Sequence, residues 1–217
     1  MQQNGKIKKM VLMAMLAAMA YIAVALIRIP AVLFLKYEPK DVVITIGGFL
    51  LGPIAAFVVS LVVSLVEMFT ISETGIIGCV MNLLSTCSFA CVAALIYKRQ
   101  HSLKGAIFGL LAGSVAMIAV MLLWNWLITP LYMTGTTREQ VAAMLLPVFL
   151  PFNAVKAGLN SGLILGLYKP LTTSLRKAKL LPPSQRTSGN AKPGIYLLAA
   201  FLLAVCILLL LILQGKI

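Results

Sequence analysis

The stretch LPFNAVKAGLNSG, Leu150 to Gly162, places Asn153, Lys156 and Asn160 inside an otherwise apolar segment. A lysine near the centre of a membrane-spanning helix raises the insertion free energy by roughly 2.5 to 3.5 kcal/mol, so something polar must compensate it. On a helix the three positions fall within about 60° of one another and form one polar stripe. Ala154, Gly158, Gly162 and Gly166 recur every fourth residue on the far side, the spacing that lets two membrane helices approach closely. One face is suited to another helix, the other to something polar. Asn and Lys satisfying neighbouring helices, or Lys156 snorkelling to an interface, is the plainer alternative.

Working outward, 61% hydrophobic residues, 11% charged residues and a mean hydropathy of +1.04 over 217 residues exclude an ordinary soluble domain. The class is an all-α integral membrane protein. The net charge of +13 does not point to nucleic acid, because the basic residues cluster between apolar spans, where they set topology and meet anionic lipid. Cys79, Cys87, Cys91 and Cys206 lie in apolar spans without CxxC spacing and read as small buried hydrophobes. The first span, about Lys9 to Ile29, follows Lys6, Lys8 and Lys9, which place the N-terminus in the cytoplasm; it is long enough to cross and lacks a clear cleavage site. Its residues Ala14 to Ala18 form a flat small-residue face, for packing within the chain or for a partner.

Arg28 to Asp41 is a charged, proline-bracketed loop that also carries Leu33, Phe34, Leu35 and Tyr37, a composition suited to a lid over a cavity. The apolar run from Asp41 to Thr70 is broken by Gly47-Gly48 and Gly52-Pro53. If it turns there as a hairpin, every basic cluster falls on one side, as the positive-inside tendency requires. Its first arm, Val42 to Leu51, then rises only about 15 Å, half the hydrocarbon thickness, which leaves a recess beneath the loop.

Spans from about Gly75 to Tyr97, Gly105 to Ile128, and Pro147 through Pro151 to Tyr168 follow. Trp124 and Trp126 read as interfacial belt residues. Asn82, Asn125, Asn153 and Lys156 come to the outer side on three helices, giving an outward-facing pocket and not a channel. Leu180 to Pro193 reads as a flexible cytoplasmic linker, and Ile195 to Leu213 as a peripheral seventh helix whose C-terminus lies outside by parity. The domain organisation is thus 1–179 for the bundle, 180–193 for the linker and 194–217 for the added helix. No GxxxxGK[ST], HExxH or GxSxG pattern occurs, and the single histidine, His101, sits in a basic loop. With five acidic residues, none paired inside a span, the sequence offers no metal site, and neither hydrolysis nor ATP use nor redox catalysis by this chain is expected.

FLKYEPKD (Phe34 to Asp41), TGIIGCVMN (Thr74 to Asn82), WNWLITPLYM (Trp124 to Met133) and LPFNAVKAGLN (Leu150 to Asn160) closely resemble, in order and spacing, the riboflavin-binding S components of energy-coupling factor (ECF) vitamin importers, the RibU type. The likeness covers about Lys6 to Lys179. It implies a six-helix bundle in the cell membrane that captures riboflavin from outside, with no resident cofactor. It also implies association with a transmembrane coupling subunit and two cytoplasmic ATPases. The resemblance makes Asn153, Lys156 and Asn125 hydrogen-bonding groups of the flavin pocket, Lys36 and Tyr37 part of the gating loop, and Ala14 and Ala18 part of the face that meets the coupling subunit. Asn82, Asn160 and Gly75 complete the candidate ligand-binding set. The helix after Lys192 departs from the usual six. A binder of another small vitamin, or a non-catalytic membrane assembly subunit, is the alternative.

Overall fold

A computed structural model describes residues 2–33, 35–133, 135–177 and 193–215. The described residues form a bundle of eight α-helices with one short β-hairpin. Helix α1 (Gln2–Leu26) leads into the antiparallel strands β1 (Ile29–Val32) and β2 (Leu35–Tyr37), and then α2 (Lys40–Leu51), α3 (Pro53–Thr70), α4 (Gly75–Arg99) and α5 (Leu103–Tyr132) follow. A short α6 (Arg138–Met144) runs through a widened π turn over Leu145–Phe149 into α7 (Leu150–Lys177), and α8 (Pro193–Leu213) closes the chain. Among the described residues, six segments are long and apolar enough to cross a membrane; α2, with 12 residues, is not one of them.

Local sequence explains the breaks. Gly52 adopts φ 97° between α2 and α3, and Pro53 occupies the first turn of α3, where a missing N–H is no loss. Lys40, opening α2, touches Glu67 near the end of α3, so the two helices run antiparallel, as the hairpin reading requires. The π turn contains Pro147, whose absent N–H and ring do not fit a regular turn. Thr137 and Gln140 form a reciprocal capping box that starts α6.

The loop anticipated between Arg28 and Asp41 is in fact a β-hairpin. Ile29 pairs with Tyr37 and Pro30 with Lys36, and along β2 Leu35 and Tyr37 face inward while Lys36 faces out. Period-two burial over three residues is too short to stand out in the sequence, but it suffices to place one charged and two apolar side chains on opposite faces.

The hairpin marks one end of the bundle. The basic clusters Lys6, Lys8 and Lys9, Lys98 and Arg99, and Lys104 all lie on helix ends that point the other way. Toward that opposite end the core is packed with Phe49, Phe89, Met117 and Ile164, and the Phe49 and Tyr97 rings stack at 4.5 Å between centroids. Tyr97 and Tyr168 join their hydroxyls beside them. Trp124 is not a belt residue: it is half-buried and packs against this core, while Trp126 is exposed, with the Arg138 guanidinium 5.8 Å from its ring centroid.

α8 is not a loosely attached anchor. It covers the small-residue face of α7, where a Cβ on Gly158 would lie 2.4 Å from Cys206 Sγ and one on Gly162 would lie 2.9 Å from Leu203. At its far end Gln214 donates to the carbonyl of Pro30 in β1, so the C-terminal end of α8 sits at the hairpin end. The linker assigned to 180–193 lies outside the described residues except for Pro193, which opens α8.

Candidate functional site

A cleft opens beneath the β-hairpin. Leu35, Lys36 and Glu38 roof it, with Arg28 from the end of α1 beside them. Ser72, Glu73 and Thr74 form its rim, and Ile77, Gly78, Met81, Asn82 and Ser85 supply the α4 wall. Phe152, Asn153 and Lys156 of α7 face them, with Met121 of α5 between. The cleft holds about 840 Å³ of empty space counted out to its open mouth. Apolar flanks with a few polar groups at one wall are the usual make-up of a small-molecule site.

Lys156 reaches this wall from the first turns of α7. Its Nζ lies 3.1 Å from Asp41 Oδ2 and donates to Ser85 Oγ at 3.1 Å. Asp41 is therefore the compensating group that a lysine within a span demands. It is fully buried at the start of α2, accepts from Thr86 Oγ1 at 2.6 Å, and accepts from Asn160 Nδ2 at 3.2 Å. The sequence reading missed it, although an acid opening a short apolar arm was the one visible signal. Asn153 donates from Nδ2 to the Phe149 carbonyl in the π turn at 2.8 Å, which leaves its side-chain carbonyl available to a ligand.

Four of the eight candidate ligand-binding residues line the cleft: Lys36, Asn82, Asn153 and Lys156. Four stand elsewhere. Asn125 is fully buried and turned on its own helix, donating to the Met121 carbonyl at 2.7 Å and accepting from Thr129 at 3.0 Å. Asn160 lies one helical turn below Lys156 and accepts from Tyr37 Oη at 3.1 Å, so both sit behind the wall. Gly75, with φ 56°, serves the turn into α4, and the glycine at the cleft is Gly78, where a Cβ would fall 1.9 Å from Thr74 Oγ1. Ala14 and Ala18 are exposed on α1, on the face opposite its buried Leu16 and Ala20.

The electrostatics are closely balanced. Each cation on the cleft wall has a carboxylate beside it: Arg28 with Glu38 at 2.9 Å, Lys36 with Glu73 at 2.8 Å, and Lys156 with Asp41. Behind the roof, the fully buried Lys40 bridges Glu38 at 2.7 Å and Glu67 at 2.5 Å, and Asn82 donates to Glu67 at 3.0 Å. Burial pushes the Glu38 carboxyl up, but Lys40, Lys156 and Arg28 together outweigh it and hold it below the usual carboxylate range. The hydrogen bond from Lys36 holds the Glu73 carboxyl below that range too. Burial raises the Tyr37 phenol, with the Asp41 charge adding to the effect.

This architecture has known counterparts. The family model for the substrate-specific component of ECF transporters matches residues 8–168. The chain belongs to this family. Riboflavin transporter RibU of Staphylococcus aureus (strain TCH60) is 28% identical over 186 residues, covering 82% of this chain and 95% of that protein. Riboflavin transporter FmnP of Bacillus subtilis (strain 168) is 28% identical over 161 residues, covering 70% and 85% respectively. A solved structure, described as the structure and mechanism of the S component of a bacterial ECF transporter, superposes with a TM-score of 0.65 at 29% identity. It covers 79% of this chain and 99% of that one. The protein is thus a multi-pass membrane S component. The matched family segment ends at residue 168, so α8 lies beyond it.

Proposed function

We propose that this S component captures riboflavin from outside the cell and hands it to an ECF coupling subunit driven by two cytoplasmic ATPases. The observation that carries the reading is the cleft itself: apolar flanks from Phe152, Met81, Met121 and Ile77, with Asn153 and Lys156 at one wall and no cation without a carboxylate partner on it. Riboflavin joins a broad apolar ring system, edged by amide-like donors and acceptors, to a neutral polyhydroxyl tail. Such a ligand needs a slot with a few placed hydrogen-bonding groups and no excess charge. The names of the relatives point to the same cargo.

The basic helix ends support a cytoplasmic position for the end opposite the hairpin, with the N-terminus inside the cell and the cleft opening outward. The exposed Ala14 and Ala18 give α1 a flat outer face on which another membrane helix can approach closely, the expected docking place for the coupling subunit.

The test is the visible absorption spectrum of the full chain, purified in detergent from a riboflavin-containing host, with the extracted ligand identified by mass. A stoichiometric flavin is expected. Lys156→Ala and Asn153→Ala should each weaken riboflavin binding by about 1 to 3 kcal/mol through lost or unsatisfied hydrogen bonds. A colourless protein that also fails to take up added riboflavin would remove the flavin reading.

A further inference from the structure

We propose that Asp41 is a specificity-determining positioning residue, which cancels the charge of Lys156 at the cleft wall and so makes the site prefer neutral riboflavin over its phosphate ester. The inference rests on the riboflavin reading and goes beyond it, because Asp41 does not line the cleft. It acts through Lys156, whose Nζ it holds at 3.1 Å.

The surroundings of Asp41 are built for a fixed anion. Its two oxygens accept from Thr86 of α4, and from Asn160 and Lys156 of α7, and none of its surface reaches solvent. Two neutral donors would hold the carboxylate in place even without the lysine. Lys156 is pinned in turn between Asp41 and Ser85, so it presents a placed N–H to the cleft with its unit charge already countered. The other two wall cations are paired as well, through Arg28 with Glu38 and Lys36 with Glu73. A phosphate carries a charge of about −1.5 to −2 at neutral pH, and it would meet no uncompensated cation here. A hydroxyl tail loses nothing by that arrangement.

Removing either charge should move the preference, and in opposite directions. Asp41→Asn keeps the shape and frees the charge of Lys156. One uncompensated unit charge acting on a phosphate of about −1.5 to −2, across an assumed separation on the order of 12 Å and at an effective dielectric near 20, alters binding roughly 30- to 100-fold before salt screening. The quantity to measure is the ratio of dissociation constants, flavin mononucleotide over riboflavin, by fluorescence titration of the purified full chain. In the wild type the ratio should be above one. Asp41→Asn should lower it tenfold or more, whereas Asp41→Glu, which restores the charge, should return it toward the wild-type value. Lys156→Gln leaves Asp41 held by Thr86 and Asn160 and should raise the ratio; this variant decides the matter if Asp41→Asn does not fold. A purely structural role would weaken both ligands alike and leave the ratio in place. A wild type that binds neither flavin sinks the riboflavin reading and this inference with it. A wild type that binds riboflavin, with a ratio unmoved in Asp41→Asn or in Lys156→Gln, overturns the inference alone.

Discussion

Replacing Lys40 by methionine isolates the most demanding electrostatic arrangement in the molecule. Lys40 is 1% exposed and bridges two carboxylates, Glu38 and Glu67, which come from the roof of the cleft and the end of α3. Methionine fills much of the volume but leaves Glu67 buried without its cation and Glu38 with Arg28 alone. Breaking a buried pair by removing one partner destabilises by roughly 3 to 5 kcal/mol, because the remaining charge has no compensation. At about 2 to 4 °C per kcal/mol for a chain of this size, the melting temperature should fall by roughly 6 to 20 °C. The assay is thermal unfolding in detergent at pH 7 and again near pH 4. In the wild type the Glu38 carboxyl is held below its unfolded value, so its stabilisation is present above about pH 4.3 and fades as pH falls through the lowered value. In Lys40→Met the largest lowering influence on that carboxyl is gone, so it titrates higher than in the wild type and the charge-dependent part of the stabilisation is lost at neutral pH. The gap between the two proteins should therefore be widest at pH 7 and narrow toward pH 4. A penalty below about 1 kcal/mol, or one of equal size at both pH values, would refute the assignment of a buried, charged bridge.

Other expectations follow from the remaining contacts. Glu73→Gln removes the exposed pair with Lys36 at the rim, so flavin association and release, followed by stopped-flow fluorescence, should change only slightly, and less at high salt. The same pair in the wild type should persist at neutral pH and be lost as pH falls through the lowered Glu73 value. Gly162→Leu has no space against Leu203 and the Ala199 carbonyl; it should separate α8 from α7 and lower thermal stability, while Gly166→Leu, with open space around its Cβ position, should not. Ala14→Trp should spare riboflavin binding in detergent yet block uptake into cells, since its site is exposed on α1 and distant from the cleft; loss of binding would remove the docking role of that face.

Much of the architecture was legible because it follows from one-dimensional signals. Runs of apolar residues marked the spans, Gly52-Pro53 marked the reversal, and the asymmetry of basic residues fixed how the hairpin threads. The α7 stripe was legible in part: Asn153 and Lys156 reach the cleft, but Asn160, on the same stripe, is one turn too deep and is taken up by Asp41 and Tyr37. Helical periodicity gives the face of a residue and says nothing of what that face meets at each depth. Asp41 was hidden for a related reason, since a counter-charge can come from any helix and its distance along the chain carries no information. Asn125 sits at the expected level but bonds within its own helix, a choice that short polar side chains make without any mark in the sequence.

The shortness of α2 has a further consequence, for the voltage across the membrane. The cleft and its charges end above a floor in which Phe49, Phe89, Met117 and the stacked ring of Tyr97 close the bundle. Carrying one elementary charge through 100 mV involves about 2.3 kcal/mol, so any continuous wet path would drain the gradient that a cell maintains. An apolar floor of this kind opposes the passage of ions beneath the cleft. A cell can then keep many idle copies in its membrane, waiting for a scarce nutrient, without a standing leak of protons or sodium.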